Sequence, residues 1–117
     1  MKKVEKPGGR EEAGGPGRKQ ELSSLVSYQD GSVVSRTVIN RKSGTVTLFA
    51  FDEGQGLSEH TAPYDALIHV LEGGVLVTID GKAFNLEGGE GLILPAGKPH
   101  SVKATSKFKM LLTMIKA

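Results

Sequence analysis

From Leu22 to the end, the chain alternates short apolar segments rich in β-branched residues with turns that contain glycine. Such segments are typical of strands and too short for a packed helix. The dipeptide Asp80-Gly81 between two of them is a strong hairpin signal. No segment shows a sustained helical period, so the sequence predicts an all-β protein. The strands are expected at residues 33–39, 45–51, 66–71, 75–79, 83–86, 91–95, 100–103 and 108–115.

Several of these segments carry apolar residues on both faces. A single open sheet would leave one apolar face in water, so we expect two sheets that close on each other. A chain of 117 residues has room for one such domain. We assign it to residues 21–117 and interpret residues 1–20, which are rich in Gly, Pro, Lys and Glu, as a flexible basic arm.

Charge and composition exclude several function classes. Residues 1–20 carry six Lys or Arg against three Glu, whereas the whole chain has a net charge of +2, so the folded domain is near neutrality. A neutral domain is not expected to bind nucleic acid. The chain has no cysteine, which excludes a disulfide framework and a thiol nucleophile. It also shows neither a secretory signal nor a membrane span, so we expect a cytoplasmic protein without membrane contact.

Two histidines from distant segments stand out, and each follows a glycine turn. His60 comes after Gly54 and is followed, thirteen residues later, by Gly73. His100 closes the segment Pro95-Ala-Gly-Lys-Pro-His100, in which the prolines and glycine predict a turn of fixed shape that aims the imidazole.

These segments resemble the two motifs of the cupin superfamily, in order and about one hairpin apart. The first motif keeps its glycines and its first histidine, and the second keeps everything except a final Asn, which is Ala104 here. The resemblance implies a small single-domain, RmlC-like cupin. Its fold would be a double-stranded β-helix, or jelly-roll barrel, and such barrels often pair as homodimers.

The resemblance also implies a metal-ligand set, and this chain departs from it. The four ligand positions of metal-bearing cupins correspond to His60, Ala62, Ala66 and His100. A cation held by two imidazoles binds more weakly than one with three or four protein ligands. We therefore expect either no cofactor or a weakly bound divalent iron, manganese, nickel or zinc ion at His60 and His100.

Asp65 is the candidate for a third ligand, because it adjoins the lost carboxylate position at Ala66. Neighbouring strand residues point to opposite faces, so Asp65 and Ala66 face inward together only if a bulge intervenes. By the same alternation, His69 should point outward when Ala66, Ile68 and Val70 line the interior. We expect His69 at the surface or in a subunit contact.

The function that fits these residues is binding of a small molecule. The two alanines remove charge and are expected to enlarge a pocket lined by His60, Ala62, Tyr64, Ala66 and His100. We expect a ligand-binding, sensing or accessory cupin that forms a homodimer. Two alternatives stay open. One is a metal-dependent dioxygenase or isomerase that uses His60, His100 and a non-standard third ligand, and the other is an interaction module with a vestigial pocket. The sequence does not decide whether the protein is an enzyme.

Overall fold

A computed structural model describes residues 2–3 and 15–117. Within these residues the chain forms ten strands and one short 3-10 helix, Leu22–Leu25. The strands are β1 (Lys2–Lys3), β2 (Val33–Arg41), β3 (Gly44–Phe51), β4 (Gly56–His60), β5 (Asp65–Glu72), β6 (Gly74–Ile79), β7 (Lys82–Glu87), β8 (Gly91–Leu94), β9 (His100–Ala104) and β10 (Phe108–Ile115).

The strands form two sheets that face each other. The larger sheet has the order β1-β2-β3-β10-β5-β8, and the smaller one has the order β4-β9-β6-β7. Neighbours are antiparallel except for β1 and β2, which are parallel. From β3 onward the chain alternates between the sheets, with β6 and β7 as one hairpin. This winding confirms the predicted all-β jelly-roll barrel.

All eight predicted strands are confirmed to within two residues at either end. The structure adds β4, which the sequence did not reveal, and β1, which pairs Lys2 with Val34 and Lys3 with Ser35. The flexible arm predicted for residues 1–20 falls mostly on residues 1 and 4–14, which lie outside the described residues. In the described part of the chain no helix has the length and apolarity to span a bilayer.

The core lies between the two sheets. Phe51 and Phe108 are fully buried and stack with their ring centroids 4.6 Å apart. Strand β5 alternates as expected, because Ala66, Ile68 and Val70 are buried and the residues between them, His69 included, are exposed. The prediction that His69 points away from the interior is therefore confirmed.

A second apolar cluster covers part of the outer face of the larger sheet. Leu25 and Val26 pack there against Val34, Leu48 and Ala50. The segment continues to Tyr28, whose hydroxyl donates a hydrogen bond of 2.7 Å to Oε2 of Glu72. Burial and this carboxylate raise the pKa of Tyr28. Residues 25–28, the N-terminal segment, thus cover the β3 side of this face and leave other residues of the sheet exposed.

The last glycine of the first cupin-like motif has a backbone role. Gly73 joins β5 to β6 with φ of 80°, and a Cβ there would lie 2.7 Å from Cα of Phe108 and would also overlap the Lys107 carbonyl. Gly54 has nearly the same backbone angle, with φ of 82°, but open space around it.

We predict that Gly73→Ala destabilises the fold more than Gly54→Ala. The Gly54 change costs about 1–2 kcal/mol, since it forces a left-handed conformation on alanine. The Gly73 change adds overpacking against the β10 backbone, which costs about 1–3 kcal/mol more. Urea denaturation of both variants measures the difference. Equal losses of stability in the two variants would show that β10 moves away from the added methyl group without destabilising the fold.

Candidate functional site

Strands β4 and β9 bring the two histidines together at one end of the barrel. His60 ends β4, His100 begins β9, and the two residues are paired in the sheet. His100 and Val102 face inward with Ala104. Leu57 pairs with Val102, and the register then shifts by one residue before His60. This bulge turns His60 to the same face as His100.

The two imidazoles are in direct contact. Their Nε2 atoms lie 3.1 Å apart, the ring centroids are 4.3 Å apart and the ring planes make an angle of 70°. His100 is 7% exposed, whereas His60 lies at the surface. The predicted meeting of the two rings is what the structure shows, with one ring buried and the other open to solvent.

Each ring uses its other nitrogen to bind the backbone two residues earlier. Nδ1 of His60 lies 2.8 Å from the Ser58 carbonyl oxygen, and Nδ1 of His100 lies 3.2 Å from the Lys98 carbonyl oxygen. A carbonyl only accepts, so these contacts assign a proton to each Nδ1. The arrangement turns both Nε2 atoms toward each other.

The loop that carries the Lys98 carbonyl is tied to neighbouring segments. Oδ1 of Asp65 accepts a hydrogen bond of 2.8 Å from Ala96 N–H. The Ala62 carbonyl accepts one of 2.8 Å from Gly97 N–H, and the Pro99 carbonyl accepts one of 2.8 Å from Asp80 N–H. The loop between β8 and β9 is thus held on one side by residues 62–65 and on the other by the β6–β7 hairpin.

Burial affects the charge of the inner ring. Burial lowers the pKa of His100, the hydrogen bond to the Lys98 carbonyl opposes this shift, and the nearby His60 lowers the pKa further. The ordinary value is 6.5. His100 therefore resists a positive charge of its own near neutral pH.

The side chains at this end do not fit a metal ion held by the protein. In the described residues no group of three or more His, Cys, Asp or Glu side chains is arranged to hold a cation. Ala62 and Ala66 offer no donor, and Asp65, the predicted third ligand, is exposed and engaged with Ala96 N–H. Two imidazoles remain from the four-ligand set of the motif.

The histidine pair lies at one end of the barrel, its mouth, with the His60 ring at the surface. Three cavities of about 270, 290 and 300 Å³ lie on the described part of the chain, and neither His60 nor His100 lines any of them. Ala66 does not open the interior either, because its side chain packs in the core beside Leu94. His60, Ala62 and Tyr64 lie on or next to the β4–β5 loop, with His60 and Tyr64 exposed.

Comparison with known proteins decides the family. The sequence profile of the cupin domain matches residues 47–116, which is more than half of the chain. The chain is a cupin. This match spans both histidine segments and the whole smaller sheet, so the family pattern covers the site just described.

Solved structures of other proteins share this fold. A conserved protein of unknown function from Streptococcus pyogenes is 32% identical, with a TM-score of 0.83 over 86% of this cupin and 89% of the other chain. A cupin 2 conserved barrel domain protein from Leptotrichia buccalis is 41% identical, with a TM-score of 0.79 over 81% of this cupin and 46% of the other chain.

A cupin superfamily protein from Desulfitobacterium hafniense is 28% identical, with a TM-score of 0.82 over 86% and 93% of the two chains. Among curated proteins, polyketide synthase CurC from Streptomyces cyaneus is 30% identical over 70 residues, which are 59% of this chain. This cupin spans only 46% of the length of that relative. The similarities establish the family and the barrel, and they leave the ligand unspecified.

We predict that Asp65 positions His100 through the loop. Asp65→Ala removes the acceptor of Ala96 N–H and should loosen residues 95–99, at a cost of about 1 kcal/mol for an exposed hydrogen bond. Asp65→Asn keeps an acceptor oxygen and serves as the matched control. Amide hydrogen exchange of Ala96 and Gly97 measures the effect. Unchanged exchange in the alanine variant would show that the loop holds its shape without Asp65.

We also predict that the stability of the fold falls in mild acid. The folded-state pKa of His100 lies below the ordinary 6.5. The contribution of the neutral His100 ring to the free energy of unfolding is therefore complete above about pH 6.5 and is lost as the pH falls through the lowered value. Urea denaturation at a series of pH values measures the slope of the free energy of unfolding against pH. His100→Gln should reduce the slope between pH 6.5 and the lowered value, whereas His69→Gln, on the outer face, should leave it unchanged. Identical slopes in all three proteins would contradict the assignment.

Proposed function

We propose that this cupin binds a small organic molecule at the mouth of its barrel, as a binding, sensing or accessory protein without strong metal-dependent catalysis. One observation carries the proposal. The two histidines that remain from the metal-binding pattern contact each other, while the other two positions of the pattern are methyl side chains.

The chemistry of the mouth supports an organic ligand. The exposed His60 ring presents an imidazole surface to solvent, and the exposed Tyr64 adds an aromatic face and a hydroxyl group. Sites for small molecules commonly combine apolar walls with a few polar groups that orient the ligand. Because the segments that adjoin these residues, 62–65 and 95–99, are hydrogen-bonded to each other, the arrangement exists before a ligand arrives.

The test is a thermal-shift screen against a metabolite library, followed by calorimetry of any hit. A ligand at about 100 times its Kd stabilises the fold by about 2.7 kcal/mol. His60→Gln and Tyr64→Ala should weaken binding at least about tenfold, which corresponds to about 1.4 kcal/mol. His69→Gln is the control and should bind as the wild type does. If no compound stabilises the protein, or if all variants bind alike, the proposal fails.

A metal-dependent enzyme of the dioxygenase or isomerase type is the second candidate. It is favoured by the convergence of the two Nε2 atoms, which lie 3.1 Å apart, since histidine nitrogen ligands lie about 2.0–2.1 Å from a zinc ion and two such ligands have a separation similar to that seen here. Elemental analysis after expression with added iron, manganese, nickel or zinc discriminates. Stoichiometric metal that disappears in His60→Gln would support this candidate, and metal-free protein with full ligand binding would remove it.

We further propose that the protein forms a homodimer through the outer face of the larger sheet. Large exposed apolar side chains are concentrated in the part of that face that the N-terminal segment leaves uncovered: Ile39, Leu67, Ile93 and Ile115 are 48%, 45%, 63% and 54% exposed. Ile93 and Leu67 are direct partners across β8 and β5, and Thr113 continues their row on β10. The neighbouring row begins with Arg41 and ends with Asp65.

Opposite charges at the two ends of this row suit a twofold axis parallel to the strands, because rotation about it sets the Arg41 end of one copy against the Asp65 end of the other. We expect a dimer by light scattering at micromolar concentration. Leu67→Lys combined with Ile93→Lys should yield monomers, whereas Leu22→Lys, an exposed apolar position on the 3-10 helix, should not. A monomeric wild type would contradict the proposal.

A further inference from the structure

Asp65 belongs to two features of the structure at once. Its Oδ1 atom accepts the hydrogen bond of 2.8 Å from Ala96 N–H, in the loop of residues 95–99 that leads to the inner histidine. Asp65 also lines the cavity of about 300 Å³ on the outer face of the larger sheet, together with Leu67 and Ile93. The residue therefore connects this loop, the histidine loop, to the face on which we propose that two copies meet.

The carboxylate of Asp65 has one oxygen atom available for a second partner. Asp65 is exposed, and within residues 15–117 its Oδ2 atom receives no hydrogen bond. Lys98, the cation of the histidine loop, lies 3.8 Å from Asp80 instead. Hydrogen bonds between a carboxylate and a guanidinium group are short and stronger than neutral ones. An arginine brought by another molecule therefore suits this position.

Arg41 lies at the opposite end of the same row of residues. It pairs with Gly44 across β2 and β3, Gly44 pairs with Ile115 on β10, and Ile115 pairs with Asp65 on β5. Strands lie about 4.8 Å apart, so Arg41 and Asp65 are separated by about 14 Å across the sheet. Arg41 is exposed, and its Nη1 atom donates a hydrogen bond of 2.9 Å to the Asn40 carbonyl. The two charges are thus too far apart to pair within one copy.

A twofold axis parallel to the strands brings the two ends of the row together between copies. When the axis passes midway between β3 and β10, Arg41 of one copy lies over Asp65 of the other. Packed sheets are about 10 Å apart, a distance that an arginine and an aspartate side chain span together. The same rotation sets Ile39 over Leu67, beside the apolar cavity. The apolar and the charged contacts therefore require one and the same arrangement.

We propose that Arg41 of each copy binds Oδ2 of Asp65 in the other copy and thereby completes the support of the histidine loop. Asp65 stays bonded to Ala96 N–H through Oδ1, so the contact between copies fixes the same carboxylate that holds the loop. Arg41 is then a positioning residue for the mouth of the other copy. The inference rests on the proposed homodimer and on the proposed binding site, whose inner histidine follows this loop.

The contact makes the order of the histidine loop depend on assembly. A carboxylate held by a guanidinium group has fewer conformations open to it, so its bond to Ala96 N–H persists for longer. An exposed ion pair changes an equilibrium constant by up to about fivefold. By linkage, a ligand that requires the ordered loop strengthens the dimer by the same factor by which the dimer strengthens its binding.

The test measures amide hydrogen exchange of Ala96 and Gly97 in the absence of a ligand. In the wild type, both amides should exchange about two- to fivefold more slowly at a concentration that gives a dimer by light scattering than after dilution to the monomer. Arg41→Glu should raise the Kd of the dimer about tenfold and give the faster exchange at the higher concentration. Lys103→Glu makes the same change of charge on the outer face of the smaller sheet and should behave as the wild type does.

Exchanging the two charges separates the contact between copies from the contact with the loop. Asp65→Arg alone should weaken the dimer, and Arg41→Glu combined with Asp65→Arg should restore it, because opposite charges meet again. The double variant should still exchange Ala96 rapidly, since it lacks the carboxylate acceptor. A dimer that Arg41→Glu leaves intact, or wild-type exchange that is independent of concentration, overturns the inference while the proposed homodimer stands. A monomeric wild type overturns both, and the ligand screen judges the binding site separately.

Discussion

The site depends on the hydrogen bonds that fix the loop between β8 and β9. Ala96 and Gly97 are bonded to residues 62–65 and Pro99 is bonded to the β6–β7 hairpin, so the Lys98 carbonyl between them has a defined position. That carbonyl takes the Nδ1 proton of His100 and turns Nε2 toward His60. The contact between the rings is thus a consequence of backbone geometry.

Most of the fold could be predicted because the strands obey simple rules. The segments around Val33, Thr45 and Phe108 are rich in β-branched and aromatic residues, and Asp80-Gly81 closes the β6–β7 hairpin with Asp80 at φ of 50°. Alternation in β5 also fixed which side of the strand faces inward, and therefore the outward direction of His69. These features are local, so a single sequence contains them.

Other features are set by partners that lie far away in the chain. Strand β4 has no alternation and only Leu57 is partly buried, so it is a strand because β9 pairs with it and not because of its own residues. The expected enlargement of the pocket at Ala66 was inferred from side-chain size alone. In the structure that methyl group packs among the core residues, and the pair opens to solvent instead. The direction of each ring depends on the Ser58 and Lys98 carbonyls, and no sequence pattern predicts these contacts.

The departure of this cupin from the metal-binding pattern gives its histidines a different partner. With alanine at two ligand positions, each ring finds its remaining polar contact in the other ring. The most direct test is a crystal structure with anomalous data from protein grown with divalent metal. The account predicts Nε2 atoms about 3 Å apart with no cation peak between them. A peak about 2.0–2.3 Å from both nitrogens, completed by a third protein ligand, would contradict it.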